Sequence, residues 1–167
     1  MRNKYILYYV EGEDECKLIE VLKSQLGVIK PGKVQKINVV EQKITYARLR
    51  TIKPNTMVVL VFDTDTNRVD VLKENLKILQ SCSSVSEIVT IPQVHNLEEE
   101  LVRSCNIKNI TELLNSKSKT EFKNDFIRVN NADKKLKEHG FNIDVFWSKE
   151  PEAPYHEIPN LSRKIKL

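Results

Sequence analysis

The sequence predicts an α/β protein, built as a compact, mostly parallel sheet flanked by helices. Patterns of buried strands and of helices alternate over residues 4 to 92, in the order β-α-β-α-β-α-β. The strand segments are mainly apolar runs, which are typical of parallel strands covered on both faces. Strands that alternate with helices imply right-handed crossovers, with helices on both faces of the sheet.

Four segments are predicted to be strands. The first, residues 4 to 10 (KYILYYV), is rich in β-branched and aromatic residues. The second, residues 33 to 40, alternates apolar and polar residues. The third, residues 56 to 63 (TMVVLVFD), is the clearest buried strand in the chain, and the fourth, residues 86 to 92, ends at a proline.

Helical patterns fill the intervals between these strands. Apolar residues recur at helical spacing from Asp14 onward, with Gly27 as the expected cap, and again over residues 68 to 80. Residues 41 to 52 carry a weaker helical pattern. After the fourth strand, Asn96 is the expected N-cap of a further helix.

The pattern changes after residue 105, which predicts two parts. Residues 1 to 105 are expected to form the α/β domain, and residues 106 to 167 a helical and irregular C-terminal extension packed on it. The extension is expected to contain short helices, with Gly140 as a cap. Residues 148 to 167 contain three of the six prolines, so this stretch is expected to be extended or mobile.

Composition and cysteine spacing argue against several classes of protein. Hydrophobic residues make up 40% of the 167 residues and charged ones 30%, as in ordinary soluble proteins, and no apolar run approaches the roughly 20 residues of a membrane helix. The N-terminus lacks the form of a signal peptide. The cysteines are odd in number and widely spaced, which argues against a disulfide scaffold or a zinc site and favours a cytoplasmic protein.

Charge is unevenly distributed along a chain whose net charge is +4. Acids gather at residues 11 to 15, at Asp63 and Asp65, and at residues 98 to 100, whereas the chain from residue 117 onward is rich in lysine. A negative pocket within a positive surround suits a metal-dependent enzyme that acts on a polyanion. The alternative is scattered, solvated charge.

The acids follow the ends of predicted strands, where open parallel sheets bind ligands. Glu11 follows the first strand, Asp63 and Asp65 close the third, and Glu98 lies just beyond the fourth. Clustered carboxylates beside buried strands are unfavourable unless a cation neutralises them, and oxygen ligands favour Mg²⁺ or Mn²⁺. Alternatively, the acids at residues 13 to 15 support the first helical turn, and the two aspartates are turn or cap residues.

These strand ends resemble those of the Toprim domain, which is shared by topoisomerases, bacterial primases, recombination proteins and OLD-type nucleases. The hallmark of that family is a strand ending in Glu-Gly with an acid three to four residues later, and a second strand ending in Asp-x-Asp. The stretches that carry the resemblance are YYVEGEDECKLI and VVLVFDTDTN. The matching residues are Glu11-Gly12, Glu15 (or Asp14), and Asp63-Thr64-Asp65.

Within that family, the pattern is closest to small OLD-type nucleases and the Toprim proteins of anti-phage operons. Such proteins tend to carry a Leu-Glu acid after the fourth strand, a place that HNLEEELV offers, with Glu98 as the first choice and Glu100 as the next. The alternative is a solvated, acidic helix start. NVVEQK follows the second strand without the glycine of many Toprim proteins, which disfavours the ribonucleases that mature 5S ribosomal RNA.

The resemblance implies metal-assisted hydrolysis of phosphodiester bonds in DNA or RNA, with residues 1 to 105 as the catalytic domain. The implied ligands of Mg²⁺ or Mn²⁺ are Glu11, Glu15, Asp63, Asp65 and Glu98. The implied catalytic residues are Glu11, Asp63, Asp65 and Lys123. Lys123, like Lys119 and Arg128, is expected to fold back towards the phosphate; otherwise these are solvated helix residues.

For Trp147, His95 and the partner proteins, the sequence leaves alternatives open. Trp147 is expected either to stack on a base or to pack in the core, and His95 either to act as a base or to form a turn. The resemblance also implies an ATPase as a candidate partner, including for a non-catalytic binding module. A phosphoacceptor receiver domain is disfavoured, because the acid pair follows the third strand rather than the first.

Overall fold

The computed structural model describes residues 5–167, and its sheet there has four strands that all pair in parallel. The spatial order is β2-β1-β3-β4. This arrangement confirms the predicted α/β class. The strands are β1 (Tyr5–Val10), β2 (Lys33–Lys36), β3 (Thr56–Asp63) and β4 (Val85–Gln93).

Six α-helices lie within the described part of the chain. The predicted first strand starts at residue 4, which lies outside the described residues. The first helix continues as a π-helical segment, Val21–Gln25, and ends before Gly27, whose φ of 64° is the left-handed conformation that glycine favours. The helices are α1 (Glu13–Glu20), α2 (Tyr46–Leu49), α3 (Asp70–Gln80), α4 (Leu97–Ser104), α5 (Lys119–Arg128) and α6 (Ala132–Glu138).

The sheet has a hydrophobic core on each face, because successive side chains of a strand point to opposite sides. Tyr8 and Val10 of β1 belong to a cluster that includes buried residues of α1, α4, α5 and α6. Leu7 and Tyr9 belong to a second cluster with buried residues of α3. Helices therefore cover both faces, and the strand ends are left to form the site.

The predicted strands and helices match the structure best where the apolar pattern is longest. The third strand has the predicted bounds, and the fourth is one residue longer at each end than predicted. Asn96 caps α4 as expected, with its side-chain oxygen accepting the Glu99 N–H at 3.0 Å. Gly140 follows α6 with a φ of 71°.

The second strand and the helix after it are shorter than predicted. The strand ends at Lys36 instead of residue 40, and the helix covers Tyr46–Leu49 instead of residues 41 to 52. Asn38 starts a turn by accepting the Val40 N–H at 3.1 Å, which ends the strand pattern. The buried Asn75 side chain of α3 then binds this loop. Its oxygen accepts the Ile44 N–H at 2.8 Å, and its amide donates to the carbonyls of Val39 and Gln42 at 2.8 and 2.9 Å.

The C-terminal segment from residue 148 packs along β4 instead of extending into solvent. The Leu161 N–H donates to the Thr90 carbonyl at 2.8 Å, and the Thr90 hydroxyl donates to the Pro159 carbonyl at 2.6 Å. Tyr155 in the same segment is buried. The division of the chain at residue 105 stays a prediction. Between residues 5 and 167, no helix combines the length and apolar character needed to cross a membrane.

Candidate metal centre

Three carboxylates converge at the carboxyl ends of β1 and β3. Glu11 follows β1 directly, Asp63 is the last residue of β3, and Glu15 lies in the first turn of α1. Each offers one oxygen, and these oxygens lie within 4.8 Å of one another. Mg²⁺ binds its oxygen ligands at about 2.1 Å, so neighbouring ligand oxygens lie roughly 3–4 Å apart. Small side-chain movements would bring the three oxygens to that spacing.

Gly12 allows the Glu15 carboxylate to approach the end of β1. The Gly12 N–H donates to Glu15 Oε2 at 3.0 Å, across the N-terminus of α1. A Cβ on Gly12 would lie 3.2 Å from that oxygen and 3.1 Å from Asp14 Oδ1, which is closer than side chains normally pack. Glu15 therefore contributes to the helix start and to the acidic cluster at once.

Asp63 is oriented by a chain of two hydrogen bonds, one partly and one fully buried. The Gln93 side-chain amide, at the end of β4, donates to Asp63 Oδ1 at 2.7 Å. The indole N–H of Trp147 donates to Gln93 Oε1 at 3.0 Å. Gln93 and Trp147 are fully buried. Sequence reasoning missed Gln93, and the signal that it offered was a polar residue at the end of an apolar strand.

The burial of Trp147 also corrects one expectation. Its indole has no exposed surface, so the suggestion that it stacks on a base was wrong. His95 fits the turn role: its backbone N–H donates to Glu99 Oε2 at 2.8 Å, and its Nδ1 lies 2.9 Å from the same oxygen.

Burial raises the pKa of all three carboxyl groups, and the charges of nearby carboxylates add to the effect. Burial raises the pKa of Glu15 to about 10, assisted by a hydrogen bond with Asp14 and by the charges of Asp14 and Asp63. Burial, and next the charge of Glu11, raises the pKa of Asp63 to about 8 against the opposite effect of Gln93. Burial is also the main cause of the raised pKa of Glu11. Without a cation the cluster retains protons at neutral pH, and a bound cation would displace them.

Asp65 and Glu98 lie at the periphery of this cluster. Asp65 is exposed, and Glu98 is half-buried. Both carboxylates raise the pKa of Asp63 by repulsion, so they lie within electrostatic range. Neither belongs to the group of converging oxygens. Their assignment as metal ligands stays a prediction.

Lys123 on α5 lies beside the acidic cluster, where sequence reasoning placed it. Its Nζ is 3.5 Å from Glu98 Oε1. Partial burial acts to lower the pKa of Lys123, but the nearby carboxylates of Glu98, Asp14 and Glu15 act to raise it, and the net shift is upward. The side chain keeps its charge and is half exposed, so it can contact an anion that reaches the cluster. Its catalytic role stays a prediction.

No family model, curated protein or solved structure matches this chain. The resemblance to the Toprim domain therefore stays a prediction, carried by the residues quoted for it. The geometry of the site is independent of that resemblance.

Proposed function

We propose that this protein is a metal-dependent nuclease that hydrolyses phosphodiester bonds in DNA or RNA with Mg²⁺ or Mn²⁺. The observation that carries the proposal is the convergence of Glu11, Glu15 and Asp63 at the carboxyl ends of adjacent parallel strands. The order of these residues in the chain also matches the Toprim pattern. Among the described residues, this group of converging ligand atoms contains carboxylates only, a donor set that suits a hard divalent cation.

Each residue of the site has a distinct task under this proposal. Glu11, Glu15 and Asp63 would hold the cation, which when bound would lower the pKa of a water molecule and offset charge on the phosphoryl oxygens. Gln93 fixes the orientation of Asp63 through the hydrogen bond described above. Glu11 has two alternative roles: as a ligand its carboxylate is ionised, whereas as a general acid, which its raised pKa suits, it stays protonated outside the ligand set and gives that proton to the leaving oxygen. Lys123 supplies positive charge for the phosphate.

The test is cleavage of labelled oligonucleotides by the purified chain. Single-stranded DNA, double-stranded DNA and RNA are each incubated with Mg²⁺ or Mn²⁺, with EDTA as the metal-free control. Asp63→Asn is expected to abolish cleavage, whereas Asp70→Asn, an exposed aspartate on α3, leaves it unchanged. Equal activity of the Asp63→Asn variant would contradict the proposal.

A non-catalytic binding module is the competing function, and calorimetry with Mn²⁺ separates the two. Lack of cleavage together with lack of Mn²⁺ binding favours the binding module. A third outcome is that the chain cleaves nothing but binds Mn²⁺, and that Asp63→Asn removes this binding. That outcome favours an effector that needs a partner.

We extend the proposal on the resemblance alone to a cytoplasmic effector of an anti-phage system that acts with an ATPase. Co-expression with ATPases encoded beside this gene, followed by purification of the complex and a phage-plating assay, tests this extension. Equal plating efficiency with wild-type protein and the Asp63→Asn variant would contradict it.

A further inference from the structure

A groove of about 630 Å³ opens beside the metal centre. Residues of α4 form one wall and residues of α5 the other, and the loop before the 3₁₀ turn Ile110–Glu112 closes one end. Glu98 and Lys123 line the groove and also border the acidic cluster. The groove therefore lies beside the metal centre, with Glu98 and Lys123 between the two.

Most charges in the groove are already bound by neighbouring groups. Glu98 is paired with Lys123 at 3.5 Å. Glu99 accepts the His95 backbone N–H, which lowers the pKa of its carboxyl group. The Arg103 guanidinium donates to buried Glu100 and to the Val94 carbonyl. Glu99 and Arg103 are thus occupied within the protein, and Glu98 partly offsets the charge of Lys123.

Lys108 and Lys119 are the two lining cations that this pairing leaves available. Both are exposed, and neither forms an ion pair with a carboxylate between residues 5 and 167. Lys119 and Lys123 are four residues apart on α5, so they lie on the same helix face. The positive charge thus extends from the acidic cluster along the groove.

We propose that this groove binds the phosphodiester strand that leads away from the scissile phosphate, an inference that rests on the nuclease function proposed above. Lys108 and Lys119 contact phosphates, and the side chains of Asn109 and Thr120 bind phosphate or sugar oxygens, contacts that position a strand without reading its sequence. The volume lies in the range of small-ligand sites, so the groove is sized for a few nucleotides of one strand. The lining contains no aromatic side chain on which bases could stack, so binding is mainly electrostatic.

The test measures binding without cleavage. Fluorescence anisotropy in EDTA measures the binding of a labelled 12-nucleotide single strand to the full chain. The chain carries Asp63→Asn, so that no cleavage interferes. Lys108 and Lys119 are replaced by Gln together in this background. The matched control replaces Lys134 and Lys137, which are exposed on α6 and lie outside the groove.

The groove variant is expected to change the salt dependence of binding. Each phosphate contact on a single strand contributes about 0.7 to the slope of log affinity against log salt concentration, so two lost contacts reduce the slope by about 1.4. If the groove variant and its parent bind the strand equally at 1 M salt, the variant binds about 25-fold more weakly at 0.1 M salt. The α6 control is expected to lose less than threefold, and DNA and RNA strands of the same sequence are expected to lose affinity equally.

Three results would overturn the inference: no binding of the single strand, equal loss from both double variants, or greater loss for a duplex than for the single strand. These results differ from failure of the nuclease proposal. A groove-specific loss in EDTA supports strand binding even when the wild-type chain cleaves nothing. Cleavage by the wild-type chain without a groove-specific loss supports the nuclease and refutes the groove.

Discussion

Replacing Asp63 by Asn is expected to make the metal-free protein more stable while removing its response to metal. The carboxyl oxygens of Glu11 and Glu15 lie within 4.8 Å of an oxygen of Asp63. Burial, and next the charge of Glu11, raises the pKa of Asp63 from 3.8 to about 8. The ionised carboxylate is therefore less favourable in the folded protein than in the unfolded chain.

The expected gain follows from the pKa shift. Between pH 3.8 and about 8, Asp63 is ionised in the unfolded chain but protonated in the folded protein, which costs about 1.36 kcal/mol of folding free energy per pH unit. At pH 7 the interval above 3.8 is about 3.2 units, which gives about 4 kcal/mol. Asn has no charge and can keep the hydrogen bond with Gln93, and part of the repulsion is shared with Glu11. We therefore expect a gain of about 2–4 kcal/mol, or at least about 4 °C in Tm for a chain of this size.

The sign of the pH dependence provides a second check. A raised carboxyl pKa leaves stability unaffected below pH 3.8 and reduces it progressively as the pH rises to about 8. The advantage of Asp63→Asn is therefore larger at pH 7.5 than at pH 5.

Thermal unfolding followed by circular dichroism, in EDTA and then in Mn²⁺, measures both effects. Mn²⁺ is expected to raise the Tm of the wild-type protein at pH 7.5, because a ligand of the folded state stabilises it, and to leave the variant unchanged. Asp70→Asn serves as the control for loss of an exposed carboxylate. A variant that is less stable than wild type in EDTA, or whose advantage does not grow with pH, would refute the reasoning.

Three further substitutions probe the site and its support. Glu11→Gln is expected to abolish cleavage at unchanged far-ultraviolet circular dichroism; retained cleavage of labelled oligonucleotides would remove Glu11 from the mechanism. Gln93→Met breaks the hydrogen bonds with Asp63 and Trp147 and leaves the buried indole N–H of Trp147 without a partner. Urea unfolding should therefore show a loss of about 2–3 kcal/mol, and calorimetry weaker Mn²⁺ binding. Unchanged Mn²⁺ affinity would show that the bond to Asp63 does not support the site. Asn75→Ala removes three hydrogen bonds to the loop after β2, two of them buried, and should cost about 3 kcal/mol in urea unfolding without changing Mn²⁺ affinity. A loss below about 1 kcal/mol would contradict this account of the loop.

The buried strand β3 and the positions of the three acids could be predicted from short stretches of sequence. β3 is a continuous apolar run that ends in Asp63, and its bounds follow from that run alone. Glu11 and Asp63 each sit beside the end of a buried strand, and the rule that parallel strands end at one edge places them together. Glu15 follows from helix geometry, because it lies in the first turn after Gly12.

Other features depend on residues far apart in the sequence. The end of β2 is set by the turn at Asn38 and by Asn75 on α3, which binds the loop from the far side. The contact between Gln93 and Trp147 spans 54 residues and requires the C-terminal segment to pack against the sheet. No local pattern encodes such contacts, because each partner alone resembles an ordinary polar or aromatic residue.

The hydrogen bond between Trp147 and Gln93 can form only after both residues have been synthesised. All three converging acids and Gln93 precede Trp147 by at least 54 residues, so they are synthesised before it. Gln93 gains its partner only once residue 147 has been translated and has reached the sheet. During translation, the three acids are thus present before the contact that helps to orient Asp63 can form.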